Sequence, residues 1–171
     1  DVYFVLEDRA GNLIKEVKTL QIKTLDVIAP TAEMQFDPEV NGQPLLDSDI
    51  KIVFSEEVRV VVDKDGKRKS LHEMKDDELI DAVKRNFTFY DMDLAFDNKL
   101  SDEHYTAENV ICTLEEGKTI LTFKGGEKKA LPLLSGNKYK VELSRDIYDT
   151  SNNRIDDKSL ELEFTTVFSR I

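Results

Sequence analysis

The chain has 171 residues, with 24 Lys plus Arg against 35 Asp plus Glu and a formal net charge of -11. Its basic residues are interspersed among carboxylates over the whole length, which argues against a nucleic-acid surface and against docking on anionic lipid. With 40% apolar residues the composition is globular rather than disordered, and no apolar run approaches the roughly 20 residues that cross a bilayer.

The chain starts at Asp1 without a Met, a basic segment or an apolar stretch, and so reads as a piece of something longer, with any signal peptide upstream. Asp8-Arg9-Ala10-Gly11-Asn12-Leu13-Ile14 leads into an alternating strand with Leu20, Ile22 and Thr24. Asp26-Val27-Ile28-Ala29-Pro30-Thr31 follows as a linker, because Pro30 denies its neighbour a helix. Period-two alternation, the mark of strands with one face buried, then runs through Met34 and Phe36 and through Ile50, Ile52 and Phe54. Val60, Val61 and Val62 form a further strand into a tight turn at Asp63-Lys64-Asp65-Gly66-Lys67.

The one helical pattern lies between Asp76 and Phe87, where Leu79, Ala82, Val83 and Phe87 share a face. Asp76, Asp77 and Glu78 at its start and Lys84 and Arg85 near its end agree with the helix dipole. Ser70 with Glu73 forms a capping-box pattern that would start the helix a turn or more earlier. Strands resume with Val110, Cys112 and Leu114, with Leu121 and Phe123, with Tyr139, Val141 and Leu143, and with Leu160, Leu162 and Phe164. Turn signals stand between them at Asn41-Gly42, Glu116-Gly117, Gly125-Gly126, Ser135-Gly136-Asn137 and Ser151-Asn152-Asn153. About seven short strands without alternating helices predict an all-β, antiparallel sandwich, with Phe36, Ile52, Phe54, Leu121, Phe123, Tyr139, Val141, Leu162 and Phe164 in its core.

The chain also repeats itself. Asp149-Thr150-Ser151-Asn152-Asn153-Arg154-Ile155, followed by Leu160, Leu162, Phe164 and Thr166, matches the Asp8 to Thr24 stretch. A Tyr-x-Val step precedes each copy, Tyr3 to Val5 and Tyr139 to Val141, at a period of about 140 residues. Residues 1–28 therefore read as the last hairpin of a preceding repeat, and 29–171 as the following one with a helical insert near 71–87. The rival reading makes residues 1–28 an integral hairpin of one domain.

These residues carry a resemblance. Ile50-Lys51-Ile52-Val53-Phe54-Ser55-Glu56-Glu57-Val58 resembles the "I-x-I-x-F-S-E-x-V" strand of bacterial Ig-like domains of the S-layer type. Asp77 to Asp91, with Leu79, Phe87 and Phe89, is similar to the short helix and strand that often follow there. Thr119 to Phe123, then Leu134 to Leu143, resembles the "L-x-x-G-x-x-Y-x-V-x-L" hairpin, and Asp149 to Asn153 with Phe164-Thr165-Thr166 the "D-x-x-G-N" turn and closing "F-T-T". The first 31 residues resemble the "D-x-A-G-N … A-P-T" ending of tandem modules. Two departures stand out: Asn152 occupies the usual Gly position, so that Asn must make the left-handed turn, and Asp91 to Glu108 is longer and more acidic than the pattern.

The resemblance implies an Ig-like sandwich acting as a non-catalytic spacer repeat of a secreted or cell-surface protein, with neighbouring repeats as its partners. The alternative is an adhesin-like recognition module that binds a carbohydrate or a surface protein through the 58–108 insert, where Tyr90, Phe96 and Tyr105 would form the ligand groove. Catalytic motifs are thin. His72-Glu73-Met74-Lys75-Asp76 lacks the second His of a zinc protease, Asp63-Lys64-Asp65-Gly66 lacks the closing Glu of an EF-hand, and Cys112 lies between apolar neighbours as a core residue would. Oxygen ligands for calcium are abundant: Asp8 and Asp26 at the junction; Asp149, Asn153, Asp156 and Asp157; and Asp91, Asp93, Asp97 and Asn98. Calcium at such junctions is what the resemblance implies, against the plainer reading of solvated carboxylates.

Overall fold

The computed structural model describes residues 2–3, 10–11, 19–20 and 24–168. At the N-terminus β1 (Val2–Tyr3) pairs antiparallel with β2 (Thr19–Leu20); residues 1, 4–9, 12–18 and 21–23 of the predicted first hairpin lie outside the described residues. Then come β3 (Ala32–Val40), β4 (Gln43–Phe54), β5 (Val58–Val61) and β6 (Arg68–Ser70), followed by α1 (Asp76–Asn86) and β7 (Phe87–Asp91). The chain continues through β8 (Val110–Glu115), β9 (Lys118–Phe123), β10 (Lys138–Leu143), β11 (Ile147–Asp149) and β12 (Glu161–Thr165).

All pairings are antiparallel. A four-stranded sheet in the order β3-β4-β9-β8 faces a three-stranded sheet in the order β12-β10-β7, and a small sheet, β11-β5-β6, continues the end of β4. Aromatic rings bridge the two main layers: Phe36 meets Phe164 at 5.5 Å, Phe54 meets Phe87 at 6.3 Å, and Phe89 meets Phe123 at 4.9 Å. The architecture is thus sandwich-like, with inward residues of both sheets meeting in one core.

The predicted core is borne out for Ile52, Phe54, Leu121, Phe123, Tyr139, Val141 and Phe164, all buried, while Phe36 and Leu162 are half-buried against it. Phe36 and Leu162 sit on β3 and β12, the edge strands of their sheets, where one flank has no neighbour. Tyr139 is fully buried, its ring stacked on Phe164 at 5.2 Å and its hydroxyl accepting a hydrogen bond from the Leu134 amide.

Helix α1 spans the residues its periodicity indicates, and Leu79, Ile80, Ala82 and Val83 are buried. The capping box does not form. Ser70 donates its hydroxyl to Glu57 Oε1 at 2.5 Å instead, Leu71–Glu73 makes one 3-10 turn, and Lys75 is the residue ahead of the helix. The side chain of Ser70 is claimed by the neighbouring strand connection, a tertiary contact that outweighs the local pattern. Asp63 to Lys67 is the expected turn, with Asp63 Oδ1 accepting from the amides of Asp65 and Lys67.

The chain path gives the molecule two poles. At one, the residues ahead of β3 meet the start of β12: Ala32 N donates to Ser159 Oγ, Asp156 N to the Pro30 carbonyl, and Thr31 N to Ser55 Oγ. At the other, the residues after β12 meet the β3–β4 turn and the start of β10: Val167 N donates to the Pro44 carbonyl and Thr166 N to that of Asn137. Strands β3 and β12 therefore run the same way, and the chain arrives at an N-terminal pole and leaves at the opposite, C-terminal one.

Burial decides how point changes act. Phe54→Ala or Leu121→Ala, in the closed centre, should each cost about 2–5 kcal/mol in chemical denaturation. Phe96→Ala, at a side chain 89% exposed, should stay within about 0.5 kcal/mol.

Candidate functional site

At the N-terminal pole three segments distant in sequence bring carboxylates together. Asp26 comes from the extended segment ahead of β3, Glu56 from the connection between β4 and β5, and Asp149 from the end of β11. One carboxylate oxygen from each lies within 4.8 Å of the others, the single such group among the described residues. Asp26 is exposed, Glu56 half-buried and Asp149 fully buried.

The turn after β11 positions the buried member. Asp149 Oδ1 accepts from the amides of Ser151 and Asn153, both at 2.8 Å, and Oδ2 accepts from Asn153 Nδ2 at 2.7 Å. Asn152 has φ 67, the left-handed conformation expected of it from sequence, and this folds the chain back so that Asn153 reaches Asp149. The same Asn153 Nδ2 donates to the Asp26 backbone carbonyl at 3.0 Å. Asp26 Oδ1 in turn accepts from the Ile28 amide at 3.0 Å, which fixes the local turn of the linker.

The electrostatics are one-sided. None of the three carboxylates has an ion-pair partner among the described residues, where the pairs join other acids to Lys or to His72. The Glu56 carboxyl is held above its ordinary range, first by burial, then by the charge of Asp149 and then by that of Asp26. A cation placed among the three would be attracted by the charge of Asp149 and Asp26 that adds to the effect of burial on Glu56, and hard divalent ions take carboxylate oxygens with water completing the shell.

Of the residues that the sequence singled out for metal, Asp26, Asp149 and Asn153 come together here, and Asp8 lies outside the described residues. Asp156 does not join: its Oδ1 accepts from the Lys158 amide and caps the 3-10 turn Asp157–Ser159. Glu56 was missed. Its signal was its place directly after the "F-S" that closes a long strand, but no rule of spacing ties that position to Asp149, 93 residues on. The second acidic stretch is braced rather than convergent. Asp91 accepts from Asn137 Nδ2 and from the Asp93 amide, and Asp93 from the Lys138 amide, so these carboxylates hold their own loop.

The aromatic trio does not form a groove. Tyr105 is buried, with its ring 5.5 Å from Phe123 in the core, and burial pushes its phenol well above the usual range. Tyr90 is on the outer face of β7 with Lys140 Nζ 5.2 Å from its ring centroid, and Phe96 stands out in solvent. The alternation on β7 that buries Phe89 turns Tyr90 outward. Cys112 packs against the core, and burial pushes its thiol up to about 12, which leaves no thiolate at neutral pH. His72 Nδ1 lies 3.9 Å from Glu57 Oε1, and His104 is exposed.

No protein-family model, curated protein or solved structure matches the chain.

The raised Glu56 gives a signed pH effect. A carboxyl whose folded pKa lies above its unfolded value favours the fold when protonated, and that contribution disappears as pH rises through the folded pKa. In metal-free buffer Glu56→Gln should therefore raise stability at pH 7 relative to the parent and leave it unchanged at pH 3. Melts at the two pH values check this, and equal gains at both would contradict it.

Proposed function

We propose that this chain is a non-catalytic, Ig-like structural repeat of an extracellular or cell-surface protein, a spacer that carries load between neighbouring repeats. The observation that carries this reading is the chain path. The chain arrives at one pole and leaves at the other, and the strands nearest those points, β3 and β12, run the same way on opposite sheets. Tension applied through the ends acts along the strands and shears the β3–β4 and β10–β12 ladders, loading their hydrogen bonds together. Nine residues of β3 at about 3.3 Å each span the distance between the poles.

Calcium fits the same reading. Held by Asp26, Glu56 and Asp149, the ion would tie the linker to the sandwich and neutralise a cluster that otherwise repels itself. The dispersal of Tyr90, Phe96 and Tyr105 over three environments favours the spacer over recognition through that trio.

Two measurements test this. Pulled between Thr24 and Phe168, the module should rupture in a single cooperative event; stepwise peeling at low force would contradict the spacer role. For the metal, calcium at 100 times its dissociation constant should add about 2.7 kcal/mol of apparent stability, reversed by chelator and lost in Glu56→Gln. A melting temperature indifferent to calcium would reject the ion and leave the load path as it is.

A further inference from the structure

Basic residues that the sequence intersperses among carboxylates are gathered by the fold at one place, the outer face of the small sheet β11-β5-β6. Its inner face turns Val58, Val60 and Ile147 into the core. On the outer face Arg59 of β5 stands opposite Tyr148 of β11 and opposite Ser70 of β6, and Arg154 pairs with Tyr148 from the other side. Residues directly opposite in antiparallel strands project from the same face, with Cβ atoms about 4.5–5.5 Å apart. Arg154, Tyr148, Arg59 and Ser70 thus form one row across the sheet. Arg68 on β6 reaches over that row: its guanidinium carbon lies 3.4 Å from the centre of the Tyr148 ring, and its Nη1 donates to Asn152 Oδ1 at 2.9 Å. The Arg154 guanidinium carbon is 5.5 Å from the same ring centre, and Nη2 donates to the Tyr148 hydroxyl at 3.0 Å.

Three guanidiniums around one phenol repel one another, and no carboxylate pairs with them. Every ion pair among the described residues is made by a Lys or by His72. Glu57, ahead of β5, takes the Ser70 hydroxyl instead. The charges of Asp146 and Asp157 reach Arg154 without closing a pair. Each guanidinium carries five N–H donors, and Arg68 and Arg154 give the bonds above to Asn152 and Tyr148. The Arg68 Nε is buried without an acceptor, an unfavourable state that an oxygen brought from outside relieves. Stacking on Tyr148 and the bond to Asn152 hold the Arg68 fork in place, so its remaining donors are positioned before any ligand arrives.

We infer that the outer face of this small sheet binds a single phosphate or sulfate group, held by Arg59, Arg68 and Arg154 around the Tyr148 platform. A tetrahedral oxyanion carries acceptors on several sides, so guanidiniums arriving from different strands each meet an oxygen. A planar carboxylate is matched by one guanidinium fork and leaves the others unanswered. The site takes one such group and not a polyanion, because the chain as a whole carries a net charge of -11 and repels a long row of negative charges.

Titration of the whole chain with inorganic phosphate near neutral pH tests this, in calcium-free buffer with ionic strength held constant by chloride. The Arg Nε–Hε and backbone amide resonances of Arg68, Tyr148 and Arg154 should shift saturably. Arg154→Gln and Arg59→Gln should keep the parent's amide spectrum elsewhere and each weaken binding about tenfold, the loss of one charge-assisted hydrogen bond. Arg68→Lys keeps the charge but not the stacked fork and should weaken binding as well. A sugar phosphate run beside inorganic phosphate separates two sources of the group: equal affinity identifies the free anion, and tighter binding of the sugar phosphate identifies a group carried on a larger molecule. Shifts no larger than chloride produces, full binding retained in both Gln variants, or an equal response to acetate would overturn the inference.

Discussion

The structure turns on one buried carboxylate. Asp149 has no solvent exposure and no ion pair with a Lys or Arg among the described residues, a placement that is unfavourable unless hydrogen bonds replace the lost hydration. The turn after β11 supplies them: two amides and one side-chain amide converge on its oxygens. Asn152 must adopt a left-handed conformation for this to happen, and Asn153 must lie where its Nδ2 also reaches the Asp26 carbonyl. The demand for a satisfied anion thus fixes a turn, and the turn fixes the segment that leads into the sandwich.

From that junction the proposed load path follows the strand axis. Pro30, Thr31 and Ala32 are each tied by hydrogen bonds to segments of the folded sandwich, at Asp156, Ser55 and Ser159, so the chain arrives at a braced pole rather than on a loose tether. It departs past Val167, which is tied to the β3–β4 turn. Both poles are braced by these hydrogen bonds, and the sides of the sandwich carry ion pairs such as Lys138–Glu163 and Lys140–Glu142.

The strands were legible in the sequence because period-two alternation responds directly to a sheet with one dry face. Ile50-x-Ile52-x-Phe54 and Tyr139-x-Val141 report their burial in the order of their letters, and Asn41-Gly42 and Glu116-Gly117 mark turns through the positive φ they adopt. Helix α1 was legible for the same reason at a different period. Sequence reading failed where tertiary contacts decide. Ser70 carried a capping pattern that Glu57 overrides, and Tyr105 reads like any loop aromatic although it closes one end of the core over Phe123. At the acidic site the residues that share a turn, Asp149 and Asn153, were identified together. Glu56 was not, since only the fold brings the end of β4 beside the end of β11.

The central claim is that Asp149 and Asn153 hold the linker rigidly on the sandwich. Backbone amide relaxation of Val27, Ile28 and Thr31 measures this directly. The account predicts order parameters near the rigid value of about 0.85, equal to those of β3, and a fall at all three amides in Asn153→Ala with the β-strand values unchanged. Values below about 0.6 in the parent, or a linker indifferent to Asn153→Ala, would contradict it.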